Sequence, residues 1–448
     1  MAAQAAIDEP VGAPSWVSAT LNGDGGWGLR RWAPYLLGLM MLFDSWDSIA
    51  IAFTLPSIAG EWRLNPVMSG ALISAGYGGQ LLGAIVFGAM AERLGRLPVL
   101  RPLVAVMALL AIASGFVRSY DQLIALRLIQ GLAIGGALPV ANCYINEIAP
   151  AATRGRFFGT FQFLMLSGFG LASLASAYVV PAYGWRAMFV LGAAPLVLVP
   201  FLFAFPESPR WLAGRGLTDK AVKALARLGG RPVEADPAAP PATAERISAA
   251  VLLSARLRGR TAVTGLLWFL TSLVSFGLVT WVPSIYVSAF HIPIAQSLRY
   301  SAIASALIFF IPLILRQTID RIGRRLPAIL GTAIGGLSLV ALAFVDHSQE
   351  QLIVTLTVMG SVGASIGSML LWPYTAEVYD TRVRATALGA ASSLARGASM
   401  LTPLAVGGVL ALSGSIAPVF LLFGASAVTV ALLWTLATKE TAGREIDG

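Results

Sequence analysis

The chain has 448 residues, of which 57% are hydrophobic and only 12% are charged. Soluble domains carry about a quarter charged residues, so this composition excludes an ordinary soluble protein and places most of the chain in lipid. The net charge of +9 would suit a nucleic-acid partner, but most of the basic residues fall on one side of the predicted membrane. That asymmetry reports membrane topology rather than a polyanionic partner.

Twelve apolar stretches are long enough to cross a bilayer of about 30 Å as helices. Numbered spans 1 to 12, they cover roughly residues 33–58, 70–91, 97–117, 122–146, 157–180, 186–205, 262–285, 298–315, 326–345, 351–374, 386–411 and 416–438. By the positive-inside rule, the basic side, which holds both termini, is the cytoplasm. We therefore predict an all-α membrane protein with twelve transmembrane helices and both termini cytoplasmic.

The longest polar stretch, residues 206–260, divides the spans six and six. We expect a cytoplasmic tail at 1–31, a first six-helix bundle at 32–205, this cytoplasmic linker, a second bundle at 261–438 and a tail at 439–448. Within the linker, TDKAVKALARL and AERISAAVLLSARL have the pattern of short helices, and the second is amphipathic enough for the membrane surface. The Pro- and Ala-rich middle of the linker is more simply solvated chain.

Two charged motifs recur at nearly the same offset in the two halves. ERLGR follows span 2 and DRIGRR follows span 8, while a glutamate followed by two arginines closes spans 4 and 10. The shared offset predicts a parallel internal repeat, six helices duplicated about an axis along the membrane normal. We expect the charged residues of these motifs to form a cytoplasmic gate that breaks and re-forms as the halves rock. They are Glu92, Arg93, Arg96, Glu147, Arg154, Arg156, Asp320, Arg321, Arg324, Glu377, Arg382 and Arg384.

Two carboxylates, Asp44 and Asp47, lie inside span 1 at positions i and i+3, on one face of the helix. A charge at the membrane centre costs about 3 kcal/mol or more, so an acidic pair there indicates a functional site. Arg127 in span 4 lies at a depth comparable to Asp47, and a pair between them would offset both desolvation costs. A purely structural salt bridge remains the alternative. Asp44 has no obvious partner and could relay a proton, bind substrate or pack against a helix.

Arg396 lies about 18 Å into span 11, too deep for easy snorkelling. A buried guanidinium suits bidentate capture of a carboxylate, although bonds to backbone or to a neighbouring polar side chain would also satisfy it. Aromatic side chains in three spans could stack on a flat ring, and packing or interfacial anchoring would explain each of them equally well. These candidate substrate contacts are Trp46, Trp268, Phe276, Trp281, Trp372 and Tyr374.

Over essentially its whole length the chain resembles the major facilitator superfamily. GAMAERLGR is similar to that superfamily's G-x-x-x-D-R-x-G-R-R, with Glu92 for the usual Asp, and PESPRWL is shared by sugar-porter-like branches. FDSWD resembles the D-x-x-D of the aromatic acid:proton symporters and the niacin-type transporters, with Ser45 replacing the Gly of the aromatic-acid version. GGALPVA and AEVYDTRVRATALG are similar to the same branches.

The resemblance implies roles for individual residues. Asp47 and Arg127 match a proton-coupling pair of proton-coupled sugar-porter relatives, and Gln162 is similar to their substrate-binding glutamine. A helix–helix hydrogen bond is the other explanation for Gln162. Arg396 precedes the stretch from Gly397 to Pro403, and a similar arginine precedes such a Gly-to-Pro stretch in the aromatic-acid and niacin-type relatives. Phe276 stands where these relatives often have Tyr.

Catalysis is not expected, because the sequence has no metal-ligand cluster, no nucleophile beside a usable histidine and no phosphate-binding loop. We therefore expect no cofactor and no metal. The sequence favours a proton-coupled symporter that imports a small aromatic or heteroaromatic monocarboxylate across the bacterial inner membrane, functioning as a monomer. Its expected partners are the organic anion, protons and the lipid bilayer, not nucleic acid. A sugar or polyol porter, a proton antiporter exporting amphipathic cations, and a transporter-like receptor remain open alternatives.

Overall fold

The computed structural model describes residues 11–12, 15–22, 28–229, 242–243 and 249–441. Within these ranges, some side chains lie outside the description, namely those of residues 11, 12, 15, 242, 243, 249, 313, 316–320, 381, 382 and 385.

In the described part of the chain, twelve helices are long and apolar enough to cross a membrane, one for each predicted span. The first six are Ala33–Trp62, Pro66–Leu94, Arg96–Ser114, Tyr120–Ile148, Arg154–Tyr183 and a broken sixth span of Trp185–Gly192, a 3-10 turn at Ala194–Val197, and Val199–Leu202. The second six are Arg258–Ser288, Ile294–Ile322, Arg325–Leu342, Glu350–Val378, Thr381–Ser413 and Ala417–Leu436. The predicted all-α membrane fold is confirmed.

The helix ends follow from local chemistry. Span 2 begins where the side chain of Asn65 accepts a hydrogen bond from the backbone of Met68, and a proline stands at its first position. Ser119 caps span 4 in the same way. Both side chains satisfy backbone N–H groups that a helix leaves unpaired at its start. Span 2 ends at Gly95 and span 5 at Gly184, both in left-handed backbone that disfavours any other residue.

Short elements cover the cytoplasmic side. A helix at Ser15–Asn22 packs against two linker helices, Pro209–Gly214 and Thr218–Gly229, so the helix predicted at TDKAVKALARL is confirmed. In the segment AERISAAVLLSARL, a 3-10 turn at Ala249–Leu253 is present, and residues 244–248 lie outside the described residues. Two-residue strands at Val11–Gly12 and Ala242–Thr243 pair antiparallel.

The two halves meet closely at the outer face, where span 2 packs against span 11. A Cβ on Gly70 would stand 2.3 Å from the carbonyl oxygen of Pro403, and one on Gly407 would stand 2.5 Å from that of Pro66. Deeper along the same contact, the hydroxyl of Ser74 donates to the carbonyl of Met400 at 2.8 Å. Backbone therefore meets backbone across the halves, and spans 2 and 11 close against each other at the outer face.

Candidate transport site

The two carboxylates of span 1 are buried in the protein interior, where Asp44 is 4% exposed and Asp47 is fully buried. Neither carboxylate oxygen of Asp47 has a hydrogen-bond partner among the described residues. One of them instead faces Gly192 in span 6, where a Cβ would stand 2.3 Å from it. Span 6 must carry a glycine there to leave room for the carboxylate.

Arg127 does not form the predicted ion pair with the Asp47 side chain. Its guanidinium donates to the backbone carbonyl of Asp47 at 3.0 Å and to the side-chain oxygen of Gln130, and it stacks on Phe189 with 4.8 Å from its carbon to the ring centre. These neutral partners pair the two terminal nitrogens of the guanidinium, while the carboxylate points toward Gly192. The charges still attract each other over a longer distance.

A cavity of about 10 Å³ lies beside Asp47, between spans 1, 2 and 4. Tyr77 and Gln80 of span 2 line it, and Gln80 donates to the hydroxyl of Ser48 at 3.2 Å. The amide nitrogen of Gln130, in the same wall, is buried and has no hydrogen-bond partner among the described residues. The cavity thus holds about one water at most, and the Gln130 amide stands close enough to interact with the Asp47 carboxyl.

Sequence reasoning missed Tyr77, Gln80, Gln130 and Gly192. The two glutamines could have been found, because a polar side chain inside an apolar helix usually bonds across helices. Gly192 carried no signal, since the closeness of span 6 to span 1 is a tertiary contact.

Arg396 faces Asp44 across the boundary between the halves. Each side chain lies within electrostatic range of the other, although no ion pair or hydrogen bond joins them. Arg396 is only partly buried, and Gly397 beside it faces open space. Arg396, which we expected to have no acidic residue near it, therefore interacts at a distance with Asp44, because span 1 presents Asp44 toward span 11.

The structure brings Phe276, Trp281 and Gln162 to the interior with capacity for further contacts. Phe276 is partly buried and packs edge-on against Tyr77 with ring centres 5.7 Å apart, so it joins spans 7 and 2. The indole nitrogen of Trp281 and the amide oxygen of Gln162 are buried without a hydrogen-bond partner among the described residues.

The other four aromatic candidates serve packing in this conformation. Trp46 donates its indole N–H to the carbonyl of Met188 at 3.0 Å, and Trp268 donates to the hydroxyl of Thr375 at 2.9 Å. Trp372 is 52% exposed, and its ring lies edge-on to that of Trp268. Tyr374 packs against Trp434 with ring centres 4.6 Å apart. These contacts describe where the four rings lie, and their substrate role stays a prediction.

The predicted gate residues form two equivalent ion pairs, each within one half. Arg96 binds Glu147 at 2.7 Å in the first half, and Arg324 binds Glu377 at 2.9 Å in the second. Among the side chains that the structure describes, these two pairs join helices of the same half, and the expected network across the inner face stays a prediction. Among the remaining members, Glu92, Arg93, Arg156 and Arg321 are exposed, and Arg154 and Arg384 are partly buried. The side chains of Asp320 and Arg382 lie outside the description.

A second repeated contact, missed by sequence reasoning, adjoins each pair. The carboxylate of Glu207 accepts the backbone N–H of Leu97 at 3.0 Å, and that of Glu440 accepts the N–H groups of Arg324 and Arg325 at 3.0 Å. Each carboxylate thus caps the first turn of span 3 or span 9. Burial raises the pKa of the Glu207 carboxyl, which outweighs the opposite effect of its backbone hydrogen bonds.

Twelve membrane helices in two repeated halves, with buried charges between them, define a secondary transporter of the major facilitator superfamily. The chain matches the family described as "Sugar (and other) transporter" over residues 38–448, and it belongs to that family. It is a multi-pass membrane transporter and not an enzyme.

The chain is similar to named transporters over nearly its whole length. The chain is 30% identical to the niacin transporter of Acinetobacter baylyi, covering 92% of this chain and 94% of the relative. It is 29% identical to a gallate transporter of Pseudomonas putida, covering 95% of each. The inward-open xylose transporter XylE from E. coli has the same fold, with a TM-score of 0.70, 18% identity, and coverage of 92% of this chain and 97% of that one.

Proposed function

We propose that this transporter carries a small aromatic or heteroaromatic monocarboxylate, similar to benzoate or nicotinate, into the cell together with protons by alternating access. Relatives named for niacin and gallate support this substrate class. The bacterial sources of these relatives support a place in a bacterial inner membrane. The observation that carries the proposal is Arg396, a partly buried cation with no direct anionic partner among the residues that the structure describes.

Arg396 is suited to bind the substrate carboxylate. A guanidinium removed from water is costly unless charge-assisted hydrogen bonds satisfy it, and a carboxylate provides two in parallel. Asp44 attracts the arginine from across the boundary without bonding it. A substrate carboxylate would complete the hydrogen bonds of the Arg396 guanidinium. Asp44 would then favour release of the substrate, because it attracts the same guanidinium.

The residues near this boundary also suit a flat, partly polar ring. The edge-on pair of Phe276 and Tyr77 offers an apolar surface contributed by both halves. Trp281 offers an unpaired N–H donor and Gln162 an unpaired carbonyl acceptor. A ring nitrogen or a ring hydroxyl would satisfy one of these groups, and each pairing would recover the desolvation cost of a buried polar atom.

Asp47 is the proposed proton carrier. An ionised carboxylate buried without a hydrogen bond is costly, and a proton on it removes the charge. Arg127 is held by the Asp47 carbonyl and Gln130, so a small rotation could move it toward or away from the carboxylate. Proton binding and helix rearrangement would be coupled through this change of partner.

The test is calorimetric affinity of purified protein for nicotinate and benzoate, each compared with its neutral amide. Arg396→Ala should weaken binding of the acids about 30-fold and leave the amides unchanged, since a lost charge-assisted contact costs about 2 kcal/mol. Arg396→Lys should restore little because an ammonium does not reproduce the planar fork. Asp44→Asn should strengthen binding of the acids, because it removes the carboxylate that competes with the substrate for Arg396.

Arg299→Ala is the matched control, since Arg299 is exposed and the same charge is lost there. Equal binding of acid and amide by the unmodified protein, or unchanged binding of the acid by Arg396→Ala, would refute carboxylate recognition.

A sugar or polyol porter is the second candidate, because the unpaired amide of Gln162 would suit a hydroxyl. Export of amphipathic compounds by proton antiport is the third, with Asp44 or Asp47 binding a cation. Uptake of labelled benzoate, nicotinate, pentose and hexose by proteoliposomes, with and without an imposed pH gradient, separates these functions. Accumulation of a sugar but of neither acid would overturn the proposed substrate class.

A further inference from the structure

A cavity of about 420 Å³ lies between the cytoplasmic ends of spans 1 and 5. It is separate from the transport site, since it lies where both helices begin, at Ala33 and Arg154. Two arginines, three aromatic side chains and a hydroxyl line its walls. They are Arg31, Trp32, Tyr35, Arg156, Phe157 and Thr160.

The two arginines of this cavity lack an acidic partner among the described residues. Other inner-face arginines, such as Arg96 and Arg324, are neutralised by glutamates. Arg31 instead lies over the ring of Trp32, with 5.2 Å from its carbon to the ring centre, and Arg156 is exposed. Two helices thus bring two uncompensated cations to one cavity, which therefore favours an anion.

The cavity walls also match the boundary between lipid headgroups and acyl chains. Trp32 is 55% exposed and Tyr35 is 51% exposed. Such amphipathic rings concentrate at the membrane interface. One turn deeper, Leu39 and Phe163 are exposed apolar side chains, and the ring centre of Phe163 lies 5.8 Å from that of Phe309 in span 8. An occupant of the cavity therefore meets positive charge at its cytoplasmic end and apolar surface at its membrane end.

Neighbouring contacts hold the two walls in place. Asn22 at the end of the N-terminal helix accepts the backbone N–H of Ala151, just before span 5, at 2.7 Å. Arg30, just before span 1, donates to the carbonyl of Leu21 in the same helix at 2.9 Å. The N-terminal helix thereby fixes the start of span 5 relative to that of span 1, so the cavity is pre-formed.

We propose that this cavity binds an acidic phospholipid of the inner leaflet, with its phosphate between Arg31 and Arg156 and an acyl chain along Tyr35 and Phe157. Basic pockets between helices on the cytoplasmic side are suited to anionic headgroups, and a guanidinium binds phosphate oxygens bidentately. The lipid would join spans 1 and 5 of the first half.

The full chain in detergent is titrated with short-chain phosphatidylglycerol, and bound lipid is counted by native mass spectrometry. The double variant Arg31→Ala/Arg156→Ala should bind phosphatidylglycerol about 30-fold more weakly, since each basic residue near the surface contributes about a factor of five. Phosphatidylcholine should show no difference between the two proteins. The variant Arg31→Lys/Arg156→Lys keeps both charges but not the bidentate geometry, so it should bind more weakly than the unmodified protein and more tightly than the alanine variant. This intermediate affinity guards against loss by misfolding.

The double variant Lys220→Ala/Lys223→Ala is the matched control, because both lysines are exposed on the linker helix and the same charge is lost. An equal loss of binding in this control would reduce the effect to general surface charge and overturn the proposal. Inorganic phosphate should not displace the lipid at equal concentration. If it does, the cavity is a site for free phosphate rather than for lipid.

Discussion

Replacing Gly95 by alanine should destabilise the fold more than its backbone conformation alone requires. Gly95 has φ of 104° and ψ of 166°, a region that residues with a Cβ avoid at a cost of about 1–3 kcal/mol. Its Cβ would also stand 2.6 Å from a carboxylate oxygen of Glu207. Moving that carboxylate weakens its bonds to the N–H groups of Leu97 and Ser208, each worth about 1.5–3 kcal/mol.

Gly184→Ala isolates the backbone contribution. Gly184 has φ of 80° and ψ of 167°, close to those of Gly95, but a Cβ there meets nothing within 4 Å. We expect Gly95→Ala to lower the free energy of unfolding, measured by denaturant titration in detergent micelles, by about 2 kcal/mol more than Gly184→Ala does. In a Glu207→Ala background the excess should vanish, since the clashing group is gone. Equal losses for the two glycines, or an excess that survives removal of Glu207, would refute the reasoning.

Three further predictions concern buried carboxyl groups. Asp47→Asn should abolish accumulation driven by a pH gradient while sparing counterflow in proteoliposomes; undiminished accumulation would remove Asp47 from coupling. Gly192→Ala should impair the same accumulation, because its Cβ would displace the Asp47 carboxyl, whereas Gly170→Ala faces open space and should not; equal behaviour would contradict this. Burial raises the pKa of the Glu207 carboxyl. The stabilisation that this carboxyl contributes is therefore fully present below the ordinary pKa range of a glutamate, and it is lost as pH rises through the raised pKa. In Glu207→Gln, the unfolding temperature should fall less steeply with rising pH than in the unmodified protein. An unchanged pH dependence would mean that a different group causes it.

The sequence was sufficient for the number and order of the membrane helices, because apolar length is a local property that a window of about 20 residues captures. The repeated motifs also pointed to Arg96 with Glu147 and to Arg324 with Glu377, which do pair. The direction of that pairing, within a half rather than across halves, required the packing of the helices.

Rotation about each helix axis was the main quantity that the sequence did not determine. Depth alone suggested that Asp47 and Arg127 pair, yet the carboxylate faces Gly192 and the guanidinium meets neutral partners. Trp46 illustrates the same limit, since its ring turns to Met188. Glu440 escaped notice because a single glutamate near a polar terminus has no signal until the chain folds back on span 9.

The outer closure between spans 2 and 11 is built from residues that cannot titrate: Pro66, Gly70, Ser74, Met400, Pro403 and Gly407. Backbone contacts of this kind do not weaken in salt or change with acidity, unlike an ion pair at a surface. The pH and ionic strength of the outside medium therefore do not directly change the strength of this contact. A change of pH can therefore act on the contact between spans 2 and 11 through groups elsewhere in the protein, but not through the residues that form it.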